Sequence, residues 1–375
     1  MRIVLFTSAV IMTAMWPAVA QDNAGSLAST CDQAAASPMD NNRPGGVLGV
    51  APDKIDPKIA IPACEAALEA KPSDPRIMYQ LGRAYFAAKA YESARAQYEK
   101  ADQVGYPLAA NNLAVIYMDG DDLPADAQRA LQLLQKAADG GVVLAMMTLA
   151  RIYFDGRIVA KNLPLVLLWY ERAAAAGNPD AMMRLNLMYG NGEGTPQDYI
   201  RARYWSEKAL GAGSNDPAFM YSLGWLYYYG HGGPRDYVTA RKWFQRGAEL
   251  GDPDAMQMLG YALENGEGGP RDLQEAMRWF EKAAALGNTR AMENIGWMYQ
   301  TGTGVRRDFD KGLEWYRKAA AAGNQDSRQY LSQRRRSYLS RDGSHGYRLP
   351  SQQIIPNGSG GIHLGSPVGP CMGNC

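Results

Sequence analysis

The chain has 375 residues, 46% of them hydrophobic and 21% charged, enough for two ordinary domains or one elongated array. Its formal net charge is +1, which excludes an overall electrostatic pull toward nucleic acid or an anionic membrane. Beyond the N-terminal stretch, no run reaches the roughly 18 uncharged apolar residues that a spanning helix needs, so no transmembrane segment is expected in the mature chain.

At the N-terminus, Arg2 precedes an uncharged run of apolar and small residues from Ile3 to Met15. Ala18-Val19-Ala20 then forms a small-x-small site before the polar Gln21 and Asp22. This pattern predicts a secretory signal peptide over residues 1–20, cleaved after Ala20, and hence a periplasmic or secreted protein. No cysteine follows that site to carry a bacterial lipid anchor. Residues 21–57 are rich in Asp, Asn, Pro and Gly and are expected to be irregular. Export places the four cysteines in an oxidising compartment. Cys31 and Cys64 are the two near the folded N-terminus, and a disulfide between them is expected. Residues 58–106 hold a lone helix, Ile59 to Lys71, and a tetratricopeptide-like hairpin marked by Leu81, Gly82, Tyr85, Ala94, Tyr98 and Ala101.

Downstream of this hairpin the sequence has a period of 36. Gly120, Gly156, Gly192, Gly230, Gly266 and Gly302 are spaced 36, 36, 38, 36 and 36. Leu133, Trp169, Trp205, Trp243, Trp279 and Trp315 keep the same spacing, as do Asp126, Asn162, Asp198, Asp236, Asp272 and Asp308. Three independent markers sharing one period define six repeats over residues 107–324. Each unit reads as helix A, glycine loop, helix B. In the sixth, Ala291, Ile295 and Tyr299 share one helical face, Gly302 ends the helix, and Asp308 caps the next. Gly296 lies beside that face, where it suits close approach of a neighbouring helix. Strand signals are missing between Pro75 and Asn324. Such units cannot bury their apolar faces alone, so the expected fold class is all-α, a right-handed superhelical solenoid of antiparallel helix pairs. A capping helix is expected over residues 325–336 and a disordered basic Gly/Ser/Pro-rich tail over 337–375. From Gln333 onward, Arg334, Arg335, Arg336, Arg341 and Arg348 against Asp342 give +4, which leaves −4 on the rest of the mature chain.

Leu-Gly-x-x-Tyr, Gly-x-Gly, Asp, and Ala-x-x-Trp-Phe/Tyr-x-Lys-Ala-Ala-x-x-Gly together resemble the Sel-one-like repeat, a 36-residue branch of the tetratricopeptide superfamily. The first two units depart from this pattern, with Leu133 in place of Trp in the first and Asp122 and Ile158 in place of the second loop glycine. The resemblance implies protein–protein scaffolding, often in envelope signalling, polysaccharide export or host contact.

Catalytic constellations are missing. Of three histidines, His231 occupies a loop slot held by Glu193, Glu267 and Thr303 in other units, which reads as a variable exposed position. His345 and His363 fall in the tail. Asp119, Asp121, Asp122 and Asp126 cluster on one loop but lack the glycine and terminal glutamate of a calcium loop. Cys371 and Cys375 lack a second ligand pair. No metal, cofactor or enzymatic activity is therefore expected.

The invariant Trp series is expected to face the shared interior, whereas function should lie where the units differ. Just after the Leu-Gly pair stand Arg151, Leu187, Trp225, Tyr261 and Trp297, with Tyr228 and Tyr229 close to the first aromatic. Two readings of Trp225, Tyr228, Tyr261 and Trp297 stand side by side: an aromatic row on the concave surface for an extended partner, or packing between repeats. The expected function is a secreted or periplasmic adaptor for a protein or peptide, with peptidoglycan or polysaccharide binding as the alternative. A cell-wall hydrolase is a third class, disfavoured by the missing catalytic groups.

Overall fold

The computed structural model describes residues 16–119 and 126–339. The first-unit loop at Gly120, the tail with His345, His363, Cys371 and Cys375, and most of the predicted signal peptide lie outside these residues. The described residues contain helices and no strand. Four helices precede the repeats: α1 (Trp16–Ala35), α2 (Pro57–Ala70), α3 (Pro75–Ala87) and α4 (Tyr91–Gln103). Next come six pairs: α5 (Pro107–Asp119) with α6 (Ala127–Asp139), α7 (Val143–Asp155) with α8 (Leu163–Ala175), α9 (Pro179–Asn191) with α10 (Tyr199–Gly211), α11 (Pro217–Tyr229) with α12 (Tyr237–Glu249), α13 (Pro253–Asn265) with α14 (Leu273–Ala285), and α15 (Thr289–Thr301) with α16 (Phe309–Ala321). The last helix, α17 (Gln325–Leu339), runs three residues past its expected end. The described helices fall into two compact units, one up to Ala176 and one from Gly177.

In the first unit, the lead segment departs from the expectation of irregular chain, because α1 covers residues 16–35. Its buried stripe consists of Ala28, Cys31 and Ala35, spaced i, i+3 and i+7, and these small side chains let α1 lie close against α2 and α3. Cys31 and Cys64 form the expected disulfide, with Cα atoms 4.6 Å apart. Helix α3 pins both the end of α1 and the chain that follows it. Arg83 donates to the Ala35 and Val50 carbonyls, each at 2.6 Å, and Gln80 donates to Asp32 Oδ1 at 2.7 Å. Arg76 pairs with the same Asp32 carboxylate.

In the second unit, the pairs of repeats four to six close on a glycine under a ring, whereas repeat three has Asn186 there, donating to the Ala202 carbonyl and to Ser206 Oγ, each at 2.9 Å. A Cβ added to Gly260 would sit 2.6 Å from the Phe280 ring, and one added to Gly224 would sit 2.7 Å from Phe244. Only glycine lets helices A and B approach so closely. The A helices end on glycines in the left-handed region, as at Gly266 (φ +75°), whose N–H reaches the Ala262 carbonyl. Side-chain caps then open the B helices: Asp272 Oδ1 accepts from the Gln274 and Glu275 N–H groups.

The Trp series is not uniformly interior. Trp169 and Trp205 are buried, at 3% and 8% exposure, but Trp243, Trp279 and Trp315 are only half-buried. The seam beside the A-helix glycine belongs to the next residue along, Phe244, Phe280 or Tyr316. A step of one residue turns the helix by about 100°, so the Trp lies at the edge of the core. There a cation three residues later covers its ring: Lys282 is 3.9 Å from the Trp279 centroid and Lys318 is 4.3 Å from that of Trp315.

Candidate partner-binding surface

The aromatic residues singled out by the repeats lie on α11, α13 and α15, all in the second unit. They divide by exposure. Trp297 is 44% exposed and makes no ring–ring contact among the described residues. Trp225 and Tyr261 are half-buried, each with one side against the core of this unit. Tyr228 is 7% exposed and belongs to that core. Its ring meets Tyr237 edge-on at 5.0 Å and lies 6.1 Å from Phe244, while its hydroxyl bonds the Glu267 carboxylate. Tyr228 is therefore withdrawn from the candidate surface, because the helix turns it toward α12.

Tyr229 takes that place. It is 39% exposed, and its ring lies 4.8 Å from Trp225, one helical turn earlier. His231 completes the group. Its imidazole stacks on Tyr199 at 4.2 Å and 17°, and lies 5.0 Å from Trp225 and 6.0 Å from Tyr229. Burial and then the nearby Arg235 lower its pKa, so the ring is neutral at pH 7. The expectation here is a variable, exposed position; the side chain is half-buried instead, wedged between three aromatic rings. The run Trp225-Leu226-Tyr227-Tyr228-Tyr229-Gly230-His231 carries the signal, since no other unit packs so many rings around its glycine loop.

Polar groups rim these rings. Tyr227 lies under the Arg203 guanidinium, 4.0 Å from its ring centroid, and Arg203 pairs with Glu207 at 2.8 Å. Glu264, at the end of α13, is buried with Oε1 unbonded, and burial pushes its carboxyl up to about 7. On the other side of this unit a pocket of about 410 Å³ opens between α12 and α14, lined by Arg241, Gln245, Leu259, Arg271 and Trp279. Its acids are engaged, Asp272 as the cap of α14 and Glu275 with Arg278 at 3.0 Å. Among the described residues, no group of three or more His, Cys, Asp or Glu side chains is arranged to hold a metal ion. Half-exposed rings on successive A helices offer flat apolar area of the kind a partner can bury, and the polar groups at their rim can supply orientation.

A family model described as Sel1 repeat matches residues 107–142, 143–178, 179–214, 217–252, 253–288 and 289–324. A tetratricopeptide repeat model matches residues 56–105. Among solved structures, the chain is similar to c5321, a protective antigen present in uropathogenic Escherichia coli strains and displaying an SLR fold. The identity is 25% and the TM-score 0.67, over 89% of this chain and 68% of that one. It is also similar to a Sel1 repeat protein from Oxalobacter formigenes, at 28% identity and TM-score 0.50, over 64% of this chain and 96% of that one. No curated protein matches it.

Proposed function

Since the chain belongs to the Sel1 repeat family, we propose that it is an exported scaffold which holds a protein or peptide partner against the rings of repeats four to six. The observation that carries this reading is the set Trp225, Tyr229, Tyr261 and Trp297. These rings stay partly exposed although Phe244, Phe280 and Tyr316 already fill the seams of their repeats. Of these rings, Tyr229 is 39% and Trp297 44% exposed, apolar area that a partner can cover. Export is supported by the leader-like residues 1–20 and by a disulfide at the N-terminal end. The envelope is accordingly the place to look for the partner.

The test is capture from envelope extracts, run beside binding to purified peptidoglycan, with the mature chain and three variants. Trp225→Ala and Trp297→Ala are each expected to weaken partner binding by about 2 kcal/mol, roughly thirtyfold. Trp243→Ala, on the B-helix side, should leave affinity unchanged. Equal affinity across all variants would reject the aromatic surface. Retention on peptidoglycan with nothing captured from the extracts would favour a glycan ligand for the same rings.

A further inference from the structure

At the starts of α15 and α17 the capping asparagine has two tasks. Asn288 Oδ1 accepts from the Ala291 N–H at 2.8 Å, while its Nδ2 donates back to the Pro253 carbonyl at 3.3 Å and to Asp254 Oδ1 at 2.8 Å. Asn324 repeats the arrangement. It accepts from the Ser327 N–H at 2.7 Å and donates to the Thr289 carbonyl at 3.4 Å and to Glu293 Oε2 at 3.1 Å. Each amide thus caps its own helix and ties it to the A helix one repeat earlier.

Helix α13 has Asp252 at this position. Its Oδ1 makes the same cap, accepting from the Ala255 N–H at 2.6 Å. Its second oxygen has no hydrogen to give unless the carboxyl is protonated. The matching acceptor is the Pro217 carbonyl of α11, which stands 35 residues before Asp252 as Pro253 stands 35 before Asn288. That carbonyl and the Ala255 methyl both border Gly247, which places it beside the cap. Helices α11 and α13 also pack directly on each other.

We propose that Asp252 is a proton-operated clasp between the fourth and fifth repeats. With a proton taken from solvent, the neutral acid donates to the Pro217 carbonyl and draws α13 onto α11. As a carboxylate it sets a charged oxygen against that carbonyl, and the tie is released. Burial raises the Asp252 carboxyl to about 6, and Asp254 and Asp216, both of its own sign, add to the rise. Tyr221 faces it from α11, Gly247 of α12 accepts its backbone N–H at 3.1 Å, and Arg290 of α15 acts on Asp254 and on Tyr221. The folded-state value lies above the ordinary 3.8, so the stabilisation is complete below about pH 4 and is lost as pH rises through about 6. Trp225 rides on α11 and Tyr261 on α13, so the clasp adjusts the spacing of two rings. It does so whether or not those rings bind a partner.

The test uses the full mature chain carrying Glu264→Gln, which removes a carboxyl of this unit that burial raises to about 7; the Asp252 variants then separate the Asp252 step from the raised Asp254 and Glu293 carboxyls. Thermal midpoints are measured from pH 4 to 8, with amide exchange followed at the starts of α11 and α13. In this background the midpoint should fall through a step centred near pH 6. Adding Asp252→Asn supplies a permanent donor: the step should vanish, the midpoint at pH 7.5 should rise, and exchange should slow by about tenfold. Asp252→Ala, with neither cap nor donor, should lower the midpoint at every pH without a step. The proposal is overturned if Asp252→Asn keeps the step or lowers the midpoint at pH 7.5, or if the Asp252 carboxyl titrates near 4 by NMR.

Discussion

On α14, Trp279 and Phe280 are neighbours in sequence, yet one holds the fold and the other edges it. Phe280 is fully buried against Gly260, whereas Trp279 is half-buried beneath Lys282. Phe280→Ala is therefore expected to cost about 3–5 kcal/mol in denaturant unfolding, and Trp279→Ala a smaller amount, about 1–2 kcal/mol. Gly260→Ala forces a methyl into the Phe280 ring and should cost about 1–3 kcal/mol in the same assay. The period of 36 leads to the expectation that the Trp series faces the interior, but a repeated residue reports only that its environment repeats, not that the environment is dry. Tyr228 carries the same lesson: in sequence it looks like a fellow of Trp225, but it stands one residue before the exposed Tyr229, and that step of helical rotation puts it in the core. Glu264 gives a pH signature of its own. Its carboxyl is raised by burial, so its contribution is full below the ordinary 4.5 and fades as pH rises through about 7. Glu264→Gln should raise the thermal midpoint at pH 8 and leave it nearly unchanged at pH 4.

At the scale of elements, the N-terminal helices depend on a covalent tie. The disulfide closes a loop of 33 residues between α1 and α2, which by chain entropy contributes about 3 to 4 kcal/mol. Replacing both cysteines with serine should lower the unfolding midpoint of this region by a corresponding amount, and reductant should lower the wild type but not the variant. The pairing could be read from the sequence, because only two cysteines lie near the folded start. Helix α1 could not, since its buried face is Ala28, Cys31 and Ala35 and lacks the large apolar side chains that announce an amphipathic helix. The B helices were legible in every repeat because an Asp or Asn caps each, and the A helices of repeats two to six because a left-handed glycine ends each. His231 was not, because its place among rings depends on Tyr199, which lies 32 residues earlier on another helix.

At the scale of the whole molecule, stability in a repeat array is mostly a sum over neighbours. Damage should therefore stay local. In Gly260→Ala, hydrogen exchange is expected to quicken across α11 to α16 while α2 to α4 keep their protection. Uniform loss of protection along the chain would show instead that the array unfolds as one block. The left-handed glycines that end the A helices bear on how such a chain changes over time. Gly230, Gly266 and Gly302 close their helices with near-identical geometry, φ +71°, +75° and +79°, at intervals of 36 residues. Cutting the coding sequence at two of these points and rejoining it restores the same joint. The array can thus be shortened or extended in whole steps of 36 without inventing a new junction. Each such step would remove or add one ring-bearing helix, making the number of half-exposed rings a heritable, countable quantity.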